Sequence, residues 1–273
     1  MMAAVISVPP VLAVGETSCQ GTTQNPQAGE IASSGSYLVG DRATIEGQTL
    51  PLCVFTGSTY PSGSFHWASL ENLKPAWDIG VDIVQIGYGH CLNTNNGAGL
   101  GTLCNGSYYY YWAWGSYCGG TIDGTLPGVG PVGIRIGAAL TNPPATNDYY
   151  VVRETVNGTV YYDGYVNGSL LTGANALGQT VSARVPASQV CWDSDQADRR
   201  LAWFGETFNY ADSMGGWSGS TKNHLDYNPL RYSKGSGWVA PSLSAGSSCN
   251  AQTAPVFTCT IAASDHIYID TTR

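Results

Sequence analysis

The sequence predicts an all-β domain, a sandwich or barrel of antiparallel strands. Three observations carry this. Ten strand-like runs follow one another at spacings of roughly 8–12 residues, broken by Gly, Asn, Pro and Asp. Almost no segment keeps a 3.6-residue hydrophobic period. The chain of 273 residues holds 35 Gly and 17 Tyr but only three Lys and six Glu, so strong helix formers are scarce.

Taken in order, residues 3–14 are apolar and resemble the core of a secretory signal. No Lys or Arg precedes Arg42, so the positive start of such a signal is missing. The expectation is a leader remnant or an ordinary apolar stretch. Residues 15–35, rich in Gly, Thr, Ser, Gln and Asn, read as a flexible arm; thus 1–35 stands apart from one domain over 36–273. The strand-like runs are 64–70, 81–88, 107–115, 132–140, 149–156, 159–166, 179–185, 188–192, 200–208 and 256–262. Between two of them lies Asn157-Gly158, a strong type I′ hairpin signal. Residues 241–255 read as a long surface loop before a final strand.

Composition excludes several classes of function. Charged residues make up 11% of the chain, against about 25% in an average domain. A net charge of −8 argues against nucleic acid, whose binding needs clustered cations. No apolar run reaches the ~20 residues of a membrane helix. The 43% hydrophobic content suffices for a core. Eight Cys, an even number, with few Lys, favour an oxidised and secreted protein. Cys91–Cys104 and Cys249–Cys259 would close short loops and are the two expected pairs. With no C-x-x-C pair and with His66, His90, His224 and His266 scattered, no metal and no cofactor is expected. Asn105, Asn157 and Asn167 open glycosylation sequons, although Asn-Gly at all three also marks turns.

Three segments carry chemistry. In Ile83-Val84-Gln85-Ile86-Gly87-Tyr88, a strand places Gln85 on the face of Ile83, and an amide there must find partners. It is a structural amide or a functional one. In Leu201-Ala202-Trp203-Phe204-Gly205-Glu206, the carboxyl shares a face with Ala202 and Phe204. Desolvation there would suit it to general acid–base work, whereas pairing with Arg199 or Arg200 would make it structural. In Tyr108 to Trp114, alternation sets Tyr109, Tyr111 and Ala113 on one face and Tyr108, Tyr110, Trp112 and Trp114 on the other. One aromatic row is expected in the core, and the other is free to line a groove for extended peptide or sugar.

Together with His66-Trp67-Ala68-Ser69-Leu70, these segments resemble, in order and approximate spacing, the glutamic peptidases or eqolisins over about residues 60–230. The neprosin-type peptidases are more distantly similar. The resemblance implies a concanavalin-like antiparallel β-sandwich (jelly roll) with few helices. It implies that Gln85 and Glu206 are the catalytic pair and that Trp67 lines the substrate cleft. Glu71 falls near an acidic position of the family pattern, and Tyr111 and Trp203 join the implied substrate-binding set. The sequence departs from the pattern where acids are usual, at Ala113 and Ala202, and Tyr111 replaces a Trp. The expected activity is metal-independent, acidic-pH endopeptidase action on extended polypeptide by a secreted monomer with no nucleic-acid or membrane partner. The alternative is a non-catalytic groove that binds carbohydrate, because fold alone does not fix function.

Two further segments stand out. Cys191 to Asp198 has a calcium-loop flavour without the spacing of a known loop and reads better as a solvated turn. Asp212 to Trp217, after the Glu206 strand, is Gly-rich enough for a flap.

Overall fold

The computed structural model describes residues 26–32, 37–53, 62–72, 83–92, 106–118, 121–123, 133–139, 144–174, 179–190, 193, 199–207, 212–215, 224–249, 251–252 and 257–271. The strands are β1 (Gln27–Ala32), β2 (Gly40–Ile45), β3 (Ser62–Asn72), β4 (Ile83–Leu92), β5 (Tyr109–Cys118), β6 (Thr121–Asp123), β7 (Gly133–Ala139), β8 (Asn147–Val156) and β9 (Thr159–Val166). They continue with β10 (Ser169–Leu170), β11 (Thr172–Ala174), β12 (Thr180–Ser182), β13 (Arg184–Pro186), β14 (Arg199–Thr207), β15 (Leu225–Ser233), β16 (Trp238–Val239), β17 (Ala251–Gln252), β18 (Phe257–Ala263) and β19 (His266–Thr271).

These strands form an antiparallel β-sandwich of the concanavalin-like kind. The first sheet runs β12-β11-β7-β5-β4-β3-β14-β1-β17, with β6 on β5. The second runs β10-β9-β8-β2-β15-β19-β18, with β13 on β9 and β16 on β15. Sequence neighbours are often not sheet neighbours: β3 pairs with β14, and β2 lies between β8 and β15. Long-range pairing of this kind brings residues near 67, 85, 113 and 206 into one sheet.

The layers follow from alternation. Leu70, Val84, Ile86, Trp112, Leu201 and Trp203 of the first sheet face Val151, Tyr162, Leu225, Ile267 and Ile269 of the second in one continuous core. A second, separate cluster of Phe65, Trp67, Tyr109, Tyr111, Ala113, Ala202 and Phe204 lies on the opposite, outer face of the first sheet. Both predicted rows of β5 exist, one in each cluster.

The Asn157-Gly158 hairpin joins β8 to β9, with φ values of 51° and 82°, the left-handed pair of a type I′ turn. Asn167-Gly168 repeats it, at 49° and 82°. Asn105 lies outside the described residues. Cys249 and Cys259 form the expected disulfide, and Cys53 and Cys91 are also disulfide-bonded. Cys104 lies outside the described residues.

Several expectations need correction. Gln27–Ala32, within the stretch read as a loose arm, is strand β1 between β14 and β17. It fits because Gly29 lets it approach β14: a Cβ there would stand 2.1 Å from the Trp203 carbonyl oxygen. The run 188–192 contains no described strand; Ala187–Gln189 is a 3-10 turn. The strand β18 is not final, since β19 pairs with it. Part of the supposed loop 241–255 is β17.

Candidate functional site

The site is built on the outer face of β5, β4, β3, β14 and β1. Register aligns the residues of this face into rows that cross the strands. One row is Tyr109, Gly89, Phe65, Glu206 and Gln27; the next is Tyr111, Gly87, Trp67, Phe204 and Gly29. Then come Ala113, Gln85, Ser69, Ala202 and Ile31, and last Gly115, Ile83, Glu71 and Arg200. Gln85 and Glu206 therefore share one face of one sheet, on strands separated only by β3.

Their surroundings are apolar. Phe65, Trp67, Tyr109, Tyr111 and Phe204 are all at most 4% exposed, while Gln85, Glu206 and Arg200 reach solvent. Phe65 meets Tyr111 edge-on at 5.5 Å, and Trp67 stacks on Phe204 at 6.0 Å. Trp67 occupies the midpoint of the diagonal from Gln85 to Glu206. That diagonal spans two strand spacings and four residues, about 16 Å between Cα atoms on a flat sheet. A ligand shared by the two side chains would sit above Trp67, with each side chain leaning towards β3.

Two polar atoms of the floor, Trp67 Nε1 and Tyr111 Oη, are buried without a hydrogen-bond partner in the chain. Burial foremost, and then the charge of Glu206, raise the Tyr111 phenol well above its ordinary range. Tyr111 thus remains a proton donor, within the electrostatic reach of Glu206.

Beside Gln85 lies a buried carboxyl. Ser69, directly opposite Gln85, donates its hydroxyl to Glu71 Oε1 at 3.0 Å. Burial raises Glu71 to about 7, against smaller downward pulls from Ser69 and Arg200. Beneath the same strand, between the sheets, Asp41 accepts the backbone N–H of Ser69 at 2.9 Å and of Arg42 at 2.8 Å. Burial drives Asp41 upward as well, opposed by those two bonds. Ser69 therefore joins two carboxyls through opposite sides of β3, anchoring the row that contains Gln85.

The neighbouring row is anchored by a second network. Tyr227 Oη of β15 donates to the Phe204 carbonyl, so its oxygen is left to accept from His66 Nδ1 at 2.6 Å. This assigns the proton of the imidazole to Nδ1. Burial lowers His66 to about 3, so the ring is neutral over most of the acidic range. The link ties β3 and β14, the strands of Trp67 and Glu206, to the second sheet.

These groups have opposite effects on stability. The folded state keeps a proton on Glu71 between the ordinary carboxylate value of 4.5 and about 7. The stabilisation from that proton is full below pH 4.5 and is lost as pH rises to 7, on the order of 3 kcal/mol in all. His66 and His90, lowered by burial to about 3 and about 4, stabilise above pH 6.5 and lose that contribution as pH falls. Glu71→Gln removes the first effect only. Urea unfolding should show the variant gaining on the parent by about 3 kcal/mol between pH 4 and pH 8; a constant difference would contradict it.

The alternatives for Glu206 can be checked. The Arg199 guanidinium is turned inward, to the Leu38 carbonyl at 2.8 Å and to Asp193. Arg200 stands opposite Glu71, six residues before Glu206. Neither holds Glu206 in an ion pair. Asp193, in the segment with the calcium-loop flavour, binds Arg153 through two bonds and also Tyr162 and Arg199. It is the hub of an ion-pair network; Asp195 and Asp198 lie outside the described residues. No group of three or more His, Cys, Asp or Glu among the described residues is placed to hold a metal ion.

One assigned residue is misplaced. Trp203 is fully buried between the sheets and does not line the outer face. It differs by one position from Ala202 and Phe204, and alternation sends it the other way. Trp67, Glu71 and Tyr111 do lie on the face. Sequence reading gave Ser69 and Asp41 no role on this face and weighed Arg200 only as a partner of Glu206. A Ser near the end of the predicted run 64–70, two residues before Glu71, was an available signal for Ser69; nothing local marked Asp41. In the possible flap, Asp212 accepts hydrogen bonds from Cys53 N, Ser62 Oγ and Gly63 N at 2.7–2.8 Å, which fixes its beginning.

No family model matches the chain, and no curated protein matches it. Among solved structures, the chain is similar to scytalido-glutamic peptidase with a peptide-based transition-state analogue. Identity is 12%, over 92% of this chain and 100% of that one, with a TM-score of 0.45. It is also similar to SCP-B, a member of the eqolisin family, in complex with the tripeptide Ala-Ile-His: 11% identity, 92% and 100% coverage, TM-score 0.42. A κ-carrageenase from Pseudoalteromonas carrageenovora with an oligotetrasaccharide is similar at 13% identity, over 66% and 53% of the chains, with a TM-score of 0.30.

Proposed function

We propose that the outer face of the first sheet hydrolyses peptide bonds, in a secreted endopeptidase that works at acidic pH on extended polypeptide. The observation that carries this reading is a contrast. On a face of buried aromatics, Gln85 and Glu206 reach solvent from strands flanking β3. In the reaction, the Glu206 carboxylate takes a proton from water, and the oxygen of that water bonds to the scissile carbonyl carbon. The Gln85 amide donates a hydrogen bond to the oxyanion that forms. Glu206 then returns the proton to the leaving nitrogen as the C–N bond breaks, so one group serves as base and acid.

The test is incubation of purified protein with denatured casein from pH 2 to 7, beside Gln85→Ala and Glu206→Gln. Parent activity at acidic pH is expected. Loss of the oxyanion donor in Gln85→Ala should cost about 100- to 1000-fold in rate. Equal cleavage by parent and variants would remove the assignment of this pair.

A second reading, a glycan-binding groove, is favoured by the two-row offset between Gln85 and Glu206 and by the Trp67–Phe204 stack. It predicts retention of neutral oligosaccharides, weakened by Gln85→Ala, with no cleavage of casein at any pH.

A further inference from the structure

We infer that Arg200 forms a carboxylate-recognising subsite at the end of the same face, taking an acidic side chain or the free C-terminal carboxylate of the bound peptide. This rests on the peptidase reading. Among the described side chains, alternation leaves three charged or acidic groups on this face: Glu71, Glu206 and Arg200. Arg200 and Glu71 are direct register partners, so their Cβ atoms are neighbours, about 5 Å apart. An ion pair would be the ordinary outcome. Instead the Glu71 carboxyl is turned along its own strand to the Ser69 hydroxyl at 3.0 Å and is 5% exposed. Arg200 makes no ion pair with it and reaches solvent.

Among the described residues, no carboxylate stands at ion-pair distance from the guanidinium, which lies at the rim of an apolar face. Burial holds a proton on Glu71 up to about pH 7, so under acidic conditions its carboxyl does not neutralise Arg200. A carboxylate from outside meets a fork of N–H donors that suits it geometrically. Arg200 lies one row beyond Gln85 and three rows from Glu206. At about 3.3 Å per extended residue, a peptide cut near Trp67 would bring a carboxylate two to four residues from the scissile bond to Arg200.

The experiment compares kcat/KM at acidic pH for one neutral peptide and for versions carrying Glu, or its isostere Gln, at each of four positions on either side of the cut. A further pair carries a free or an amidated C-terminus. The parent should favour a carboxylate at one position by about tenfold or more. Arg200→Gln should lose that preference through KM and cleave the neutral peptide as the parent does; Arg200→Lys should recover part of it. Preference abolished by amidation identifies the terminal carboxylate, and preference that follows internal Glu identifies a side chain. Cleavage of all peptides without a carboxylate preference, or a preference retained by Arg200→Gln, overturns the subsite alone. Absence of cleavage by the parent overturns the peptidase reading with it.

Discussion

Glu206→Gln is expected to lower kcat for protein cleavage by about a thousandfold or more while leaving the fold and KM nearly unchanged. The size follows from the double duty of the carboxyl. A positioned general acid–base contributes about 10²–10⁴-fold, and here one group acts in both proton transfers. The selectivity follows from its place. Glu206 is half-buried, next to Phe65 and Gln27, and Gln preserves its shape. A steady-state assay with circular dichroism on the same samples separates lost chemistry from lost structure. Intact β-structure with activity down by less than tenfold would rule out Glu206 as the base.

The second large effect is on stability. Gly87→Ala is expected to destabilise the protein by about 4 kcal/mol or more. A Cβ at Gly87 would lie 1.8 Å from the His66 carbonyl oxygen and 2.8 Å from Trp67 Cα. Both are backbone atoms, so no side-chain rotation relieves the clash, and β4 would have to part from β3. These are the strands that carry Gln85 and Trp67, so activity should fall with stability. Gly158→Ala is the comparison: nothing lies within 4 Å, and only its φ of +82° is unfavourable. Its cost should be about 1 kcal/mol. Urea denaturation at one pH measures both, and similar small losses would contradict the close approach.

Most of the strands were legible because alternation and turn residues are local signals. Asn157-Gly158 marked its hairpin, and Tyr108–Trp114 separated into its two faces as the period of two requires. What escaped depended on context. In β15, Asn228-Pro229 interrupts the pattern, and a Pro argues against a strand interior; the structure accommodates it at a register shift between Tyr227 and Leu230. β1 lies in a stretch whose Gly, Thr, Ser, Gln and Asn content read as linker, yet Gly29 allows close approach to β14. The site was partly legible for the same reason. Gln85 and Glu206 were visible as polar residues in apolar strands, and their common face followed from pairing with β3. Asp41 is 28 residues from Ser69 in sequence, and its carboxylate accepts the Ser69 backbone N–H, which no local pattern announces.

The most direct test of a shared reaction centre is a double-mutant cycle on kcat with Gln85→Ala, Glu206→Gln and the double variant. Groups that act on one carbonyl lose their effect together, so the double variant should be no slower than Glu206→Gln within a few fold. Losses that multiply in full, the two single effects compounding, would mean that Gln85 and Glu206 work apart.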